Sequence, residues 1–182
     1  SKVDEILKDI ERVVREVEKK SRKSNEELKR ISEESKRRNE DALRRLKEIA
    51  DRVRERLDKG DKEEVRELLK TVRDVVKKVK EESDRSVKRS EEVAEEVKRR
   101  NEALLKEVED VARDVEEKLR EAPEDKVRDA RRRLKELVDR VKRVVEESEK
   151  RIRKLVKENR DVSRRIEEEL KRIVREIEEE AK

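Results

Sequence analysis

The residues that invite a chemical reading are nine serines and four asparagines, Ser1 aside. They are Ser21, Ser24, Asn25, Ser32, Ser35, Asn39, Ser83, Ser86, Ser90, Asn101, Ser148, Asn159 and Ser163. A serine hydroxyl becomes a nucleophile when an adjacent base takes its proton. The chain has no histidine, and no lysine or carboxylate falls at the helical positions these residues occupy. Cysteine is absent too, which removes thiolate nucleophiles, disulfides and Cys-based metal sites. Serine and asparagine alone are weak ligands for transition metals. The expectation is therefore no catalytic residue, no cofactor and no metal. A small polar cavity for a ligand or ion is the competing reading, because helical bundles do build sites in their cores.

Composition says what must position these residues. Lys and Arg number 58 and Asp and Glu 53, so 61% of the chain is charged, with a net charge of only +5. Aromatic residues, Met and Gln are missing, and Gly60 and Pro123 are the single glycine and proline. Such a charged, Ala/Glu/Lys/Leu/Arg-rich chain is either disordered or built of long helices. The small net charge and the placement of the apolar residues decide for helices.

From Val3 to Leu57, sixteen uncharged positions recur at a mean spacing of 3.6 residues, with Ser21, Ser24, Ser35 and Asn39 filling the steps that lack an apolar residue. Equal ladders run from Val65 to Leu119 and from Val127 to Ala181, and none of the 48 positions is charged. That period is an α-helix. It closes after five turns in 18 residues rather than following a heptad, which predicts nearly straight helices. Gly60 is placed for a left-handed C-cap, and Asp61 with Glu64 has capping-box spacing. Pro123 suits a first helical position, and Ser1 with Asp4 repeats a cap at the start. The reading is one three-helix domain over 1–182, with helices near 2–58, 62–121 and 124–181. Its fold is an all-α, straight, antiparallel up-down-up bundle of nearly equal helices, because connections this short force neighbours antiparallel. Leu7, Val14, Asn25, Ser32, Leu43 and Ala50 widen the stripe of the first helix, and Val138, Val156 and Val174 widen that of the third. A stripe this wide suits a helix with two neighbours.

Antiparallel pairing sets the heights of the polar residues. Asn39, Ser35 and Ser32 fall level with Ser83, Ser86 and Ser90, and these with Ser163 and Asn159. Ser21, Ser24 and Asn25 fall level with Asn101 and Ser148. Leu28, Ile31, Val93, Val97, Ile152 and Leu155 form a dry layer between the two polar ones. An unpaired buried polar group costs about 1–3 kcal/mol, so thirteen would cost roughly 13–39 kcal/mol against a usual net stability of about 5–15 kcal/mol. These residues must bond across helices or bond water. Buried asparagine in a bundle fixes register and oligomer state, because misaligned pairings strand the amides.

The outer faces are charged. Basic triplets such as Lys36-Arg37-Arg38, Lys98-Arg99-Arg100 and Arg131-Arg132-Arg133 suggest a polyanion, but acidic residues flank most of them and no aromatic is present to stack on bases. Solvated faces of ion pairs are favoured over a specific nucleic-acid site, and no membrane is expected. No apolar run approaches the roughly 18 residues of a span, and no signal-peptide pattern opens the chain. No partner is required. The rival is a homo-oligomer or a helical partner in a groove left by incomplete closure, which Ala42, Ala50, Ala94, Ala112 and Ala130 are small enough to admit.

Equal ladders, Glu/Lys/Arg surfaces, the turns Asp58-Lys59-Gly60-Asp61 and Ala122-Pro123-Glu124-Asp125, and core polarity confined to Ser and Asn give the chain a style. It resembles computationally designed parametric helical bundles that carry buried hydrogen-bond networks. The resemblance spans the chain and implies a synthetic, soluble, thermally stable scaffold or assembly component, cytoplasmic in an expression host, with no natural activity. Spectrin-like or apolipoprotein-like bundles are the natural alternative. Those are expected to contain aromatic, Gln and His residues and irregular loops, which this chain lacks.

Overall fold

Two short breaks shape the molecule. In the computed structural model, which describes residues 2–182 without the side chains of Lys2, Val3 and Ile6, they separate α1 (Lys2–Asp58), α2 (Lys62–Leu119) and α3 (Glu124–Glu180). The cap read at Ser1, and Val3 and Ile6 as buried positions, lie outside the described residues.

Gly60 closes α1 with φ of 71°, and the surrounding bonds form a Schellman motif. The Gly60 N–H donates to the Leu57 carbonyl at 3.1 Å and the Asp61 N–H to the Arg56 carbonyl at 3.0 Å. Asp61 then caps α2, its Oδ1 accepting from the Glu64 N–H at 3.2 Å. The reciprocal half of a capping box does not form. The Asp61 N–H is already engaged with Arg56, and the Glu64 carboxylate instead pairs with the Arg56 guanidinium at 3.1 Å.

The second break differs from expectation by a residue or two. α2 stops at Leu119 rather than near 121, because the peptide before a proline is pushed out of the helical region. The N–H groups of Arg120 and Ala122 tighten into i→i−3 bonds with Glu117 and Leu119. Pro123 stands just outside α3, not at its first helical position. Its carbonyl accepts from the Val127 N–H at 3.2 Å, the role of an N-cap.

The chain divides into two compact units, and the division passes through every helix. The first comprises Ser1–Leu28 and Glu92–Lys154. Arg140 of α3 pairs with Glu18 of α1 at 2.8 Å, and Arg131 of α3 pairs with Glu116 of α2 at 3.4 Å. Arg100 of α2 reaches Ser24 of α1. The second unit comprises Lys29–Glu91 and Leu155–Lys182. There Arg38 pairs with Glu82, Arg160 with Glu91 and Arg54 with Glu180. In each unit all three helices touch, with α1 and α3 running together and α2 against them. The fold is an all-α three-helix bundle in up-down-up order.

Each unit has its own apolar cluster. Leu7, Ile10, Val14 and Val17 pack with Val108, Val115, Leu134 and Val141 in the first. Leu46, Val53, Val72, Leu170 and Ile177 belong to that of the second. Every described buried apolar residue is a ladder position or one of the flanking residues Leu7, Val14, Ala50 and Val156. Early in α1 the period is corrected. Leu7, Ile10, Val14, Val17, Ser21, Ser24 and Leu28 are the buried set, alternating steps of three and four, while Val13 is half-buried. This stretch follows a heptad, because Val13 and Val14 are equally apolar and packing selects Val14.

Candidate functional site: the buried polar layers

The polar residues sit beside the apolar clusters, within each unit. Eleven of the thirteen are buried, while Asn25 and Ser32 are half-buried at the layer edges. Helical spacing explains this. Asn25 and Ser32 follow the seam positions Ser24 and Ile31 by one residue, which turns them toward the rim of the stripe.

In the second unit the layer joins three helices. The hydroxyls of Ser35 (α1) and Ser86 (α2) lie 2.5 Å apart. Asn159 (α3) donates through Nδ2 to the Ser86 carbonyl at 3.3 Å, the Ser86 hydroxyl at 3.4 Å and the Ser90 hydroxyl at 3.3 Å. Ser90 in turn donates to the Val87 carbonyl at 2.8 Å. Ser83 and Asn39 are buried beside this chain, and Ser163 one turn beyond Asn159. Arg38 touches the edge, its Nη2 donating to the Ser35 hydroxyl at 3.4 Å.

The first unit is arranged differently. Ser21, Ser24, Asn101 and Ser148 are buried there, and the bond that links two helices at this layer comes from a charged residue in place of the expected Ser–Asn contact. Arg100 donates through Nη2 to the Ser24 hydroxyl at 2.7 Å, and Ser24 donates to the Lys20 carbonyl at 3.0 Å. Sequence reasoning missed Arg100 by assigning the triplet Lys98-Arg99-Arg100 to a solvated face. Its position next to the seam residue Asn101 was the available signal, since a long arginine stem can fold inward along apolar surface.

These contacts carry little chemistry. The partners of the bonded hydroxyls are other hydroxyls, amides, guanidinium groups and backbone carbonyls, and none of these bonds offers a base to accept a serine proton. Among the described residues no group of three or more acidic side chains is placed to hold a metal ion. No described helix is long and apolar enough to cross a membrane. The arrangement can align helices, since each bond demands a particular height.

A scan against protein-family models finds no match, and a search of the curated proteins finds none. Among solved structures the chain is similar to a computationally designed three-helix bundle. That likeness has 15% identity and a TM-score of 0.47, and covers 99% of this chain and 90% of that one.

Proposed function

We propose that this chain is a de novo designed structural scaffold whose buried Asn/Ser layers fix the register of its helices, and that it has no catalytic activity. The observation that carries the reading is the Ser35–Ser86–Asn159–Ser90 set, where bonds at one height join all three helices. A slip of either α1 or α3 against α2 strands these groups, which penalises misaligned packings more than the aligned one. The regular ladders and the confinement of Ser and Asn to the stripe support deliberate placement. The reading calls for no partner; among the described residues no large hydrophobic side chain is exposed.

Replacing Asn39, Asn101 and Asn159 together by Leu tests this. Thermal stability is expected to hold or rise, because an apolar residue of similar size removes the desolvation penalty, while a single register or association state is lost. Light scattering with refractive-index detection reads the association state against the 22.0 kDa chain mass. A large loss of stability with unchanged association would overturn the reading.

A further inference from the structure

Both layers leave buried atoms without a hydrogen-bond partner among the described residues, and apart from Arg100 Nε in the first unit the two sets match in kind. In the first unit these include Asn25 Oδ1, Asn101 Nδ2 and Ser148 Oγ, one from each helix. In the second they are Asn39 Nδ2, Asn159 Oδ1 and Ser163 Oγ. Each set holds one amide acceptor, one amide donor and one hydroxyl that can do either.

The residues of each set lie within about one helical turn of one another. Ser24 and Arg100 touch, which sets the adjoining Asn25 and Asn101 on either side of that contact, and the Glu18–Arg140 pair brings Ser148 to the same turn as Asn25. In the second unit Ser35 and Asn159 both meet Ser86. Asn39 lies one turn beyond Ser35 and Ser163 one turn beyond Asn159, on helices that run together.

We propose that each polar layer is a specific site for one ordered water molecule. A buried water typically makes about three hydrogen bonds. Here it donates to the asparagine oxygen, accepts from the asparagine amide, and completes its shell with the serine hydroxyl. The two layers are equivalent in this respect although their direct bonds differ. Ser163 also lines a cleft of about 340 Å³ between α2 and α3, shared with Val87, Glu91 and Arg160, which gives the second site a route to solvent. The site stands on these orphaned atoms and holds whether or not the layers set register.

The chain suits the test, because four asparagines and no glutamine leave only four side-chain amide pairs in a 15N spectrum. A rotating-frame experiment at the water frequency, whose sign separates dipolar contact from proton exchange, is expected to show dipolar cross-peaks from the Asn39 and Asn101 amide protons. Because a serine hydroxyl in exchange with solvent can relay such a peak, the measurement is repeated on Ser148→Ala and Ser163→Ala. Cross-peaks that persist in these variants support bound water. Cross-peaks absent from the parent, or lost in the variants while amide shifts hold, overturn it, as does a direct amide–amide bond between Asn39 and Asn159.

Discussion

Asn159 grips Ser86 twice, its Nδ2 donating to both the carbonyl oxygen and the hydroxyl, at 3.3 and 3.4 Å. One contact reads the α2 backbone and the other a side chain. The pair therefore ties α3 to one position on α2, and the Ser86 hydroxyl passes the constraint to Ser35 on α1.

Ser86→Ala should consequently be among the more damaging single-atom deletions. It removes the shared partner of Ser35 and Asn159 in a site where Ser86 is 6% exposed. Loss of a buried partner costs about 1–3 kcal/mol, and denaturant unfolding is expected to show a decrease in that range. A change below about 0.5 kcal/mol, the usual size of a surface effect, would mean that the hydroxyl is not central.

Arg100→Met should have a different outcome. Arg100 Nε is buried without a partner, and its Nη2 bonds Ser24, which keeps its own bond to the Lys20 carbonyl. Methionine retains an apolar stem and removes the stranded donor. Stability is expected to stay within about 1 kcal/mol of the parent or to rise, measured in the same unfolding series.

The Arg160–Glu91 pair should matter only at low salt. Arg160 donates through Nε and Nη2 to one Glu91 oxygen, at 2.9 and 2.5 Å, but both side chains are well exposed. Pairs of this kind contribute about 0.2–1 kcal/mol. Glu91→Gln is expected to lower stability by no more than that. The difference should shrink as salt is raised toward 1 M, where screening acts within about 3 Å. Urea unfolding, which adds no ions, measures both.

Stability should be nearly flat from about pH 6 to 9, a range in which the side chains that ordinarily titrate are His and Cys, both absent here. The Arg54 guanidinium is raised from its ordinary value by its hydrogen bond to the Glu180 carboxylate, then by that group's charge. A raised basic group stabilises fully below its unfolded pKa and loses that contribution as pH climbs through the folded one. The loss therefore lies in strong alkali, outside this range. Thermal melts across pH 6 to 9 check it, and a sigmoidal step would contradict it.

The helices and the polar layers were legible in the sequence because both follow from periodicity, which local sterics impose along the whole chain. The bonds Ser35–Ser86 and Asn159–Ser86 fall where antiparallel counting levels them. What escaped depends on competition between equivalent groups. Val13 and Val14 are chemically identical, so only packing could bury the second. Glu64 had two partners within reach and took Arg56, because the Asp61 N–H was already bonded. Arg100 turned inward since a flexible stem permits it, and no pattern in the surrounding charges announces such a turn.

Gly60 carries a consequence about chirality. A Cβ built there meets nothing within 4 Å, so space does not demand glycine; the backbone sign does. An L-residue in the left-handed region costs roughly 1–2 kcal/mol, whereas the same dihedral is the natural one for a mirror-image residue. Among the described residues this is the one place where the chain takes a positive φ. A D-alanine inserted there by chemical synthesis fits the turn and narrows the unfolded ensemble. The first hairpin thus turns on a residue whose achirality, rather than its small size, is what the fold uses.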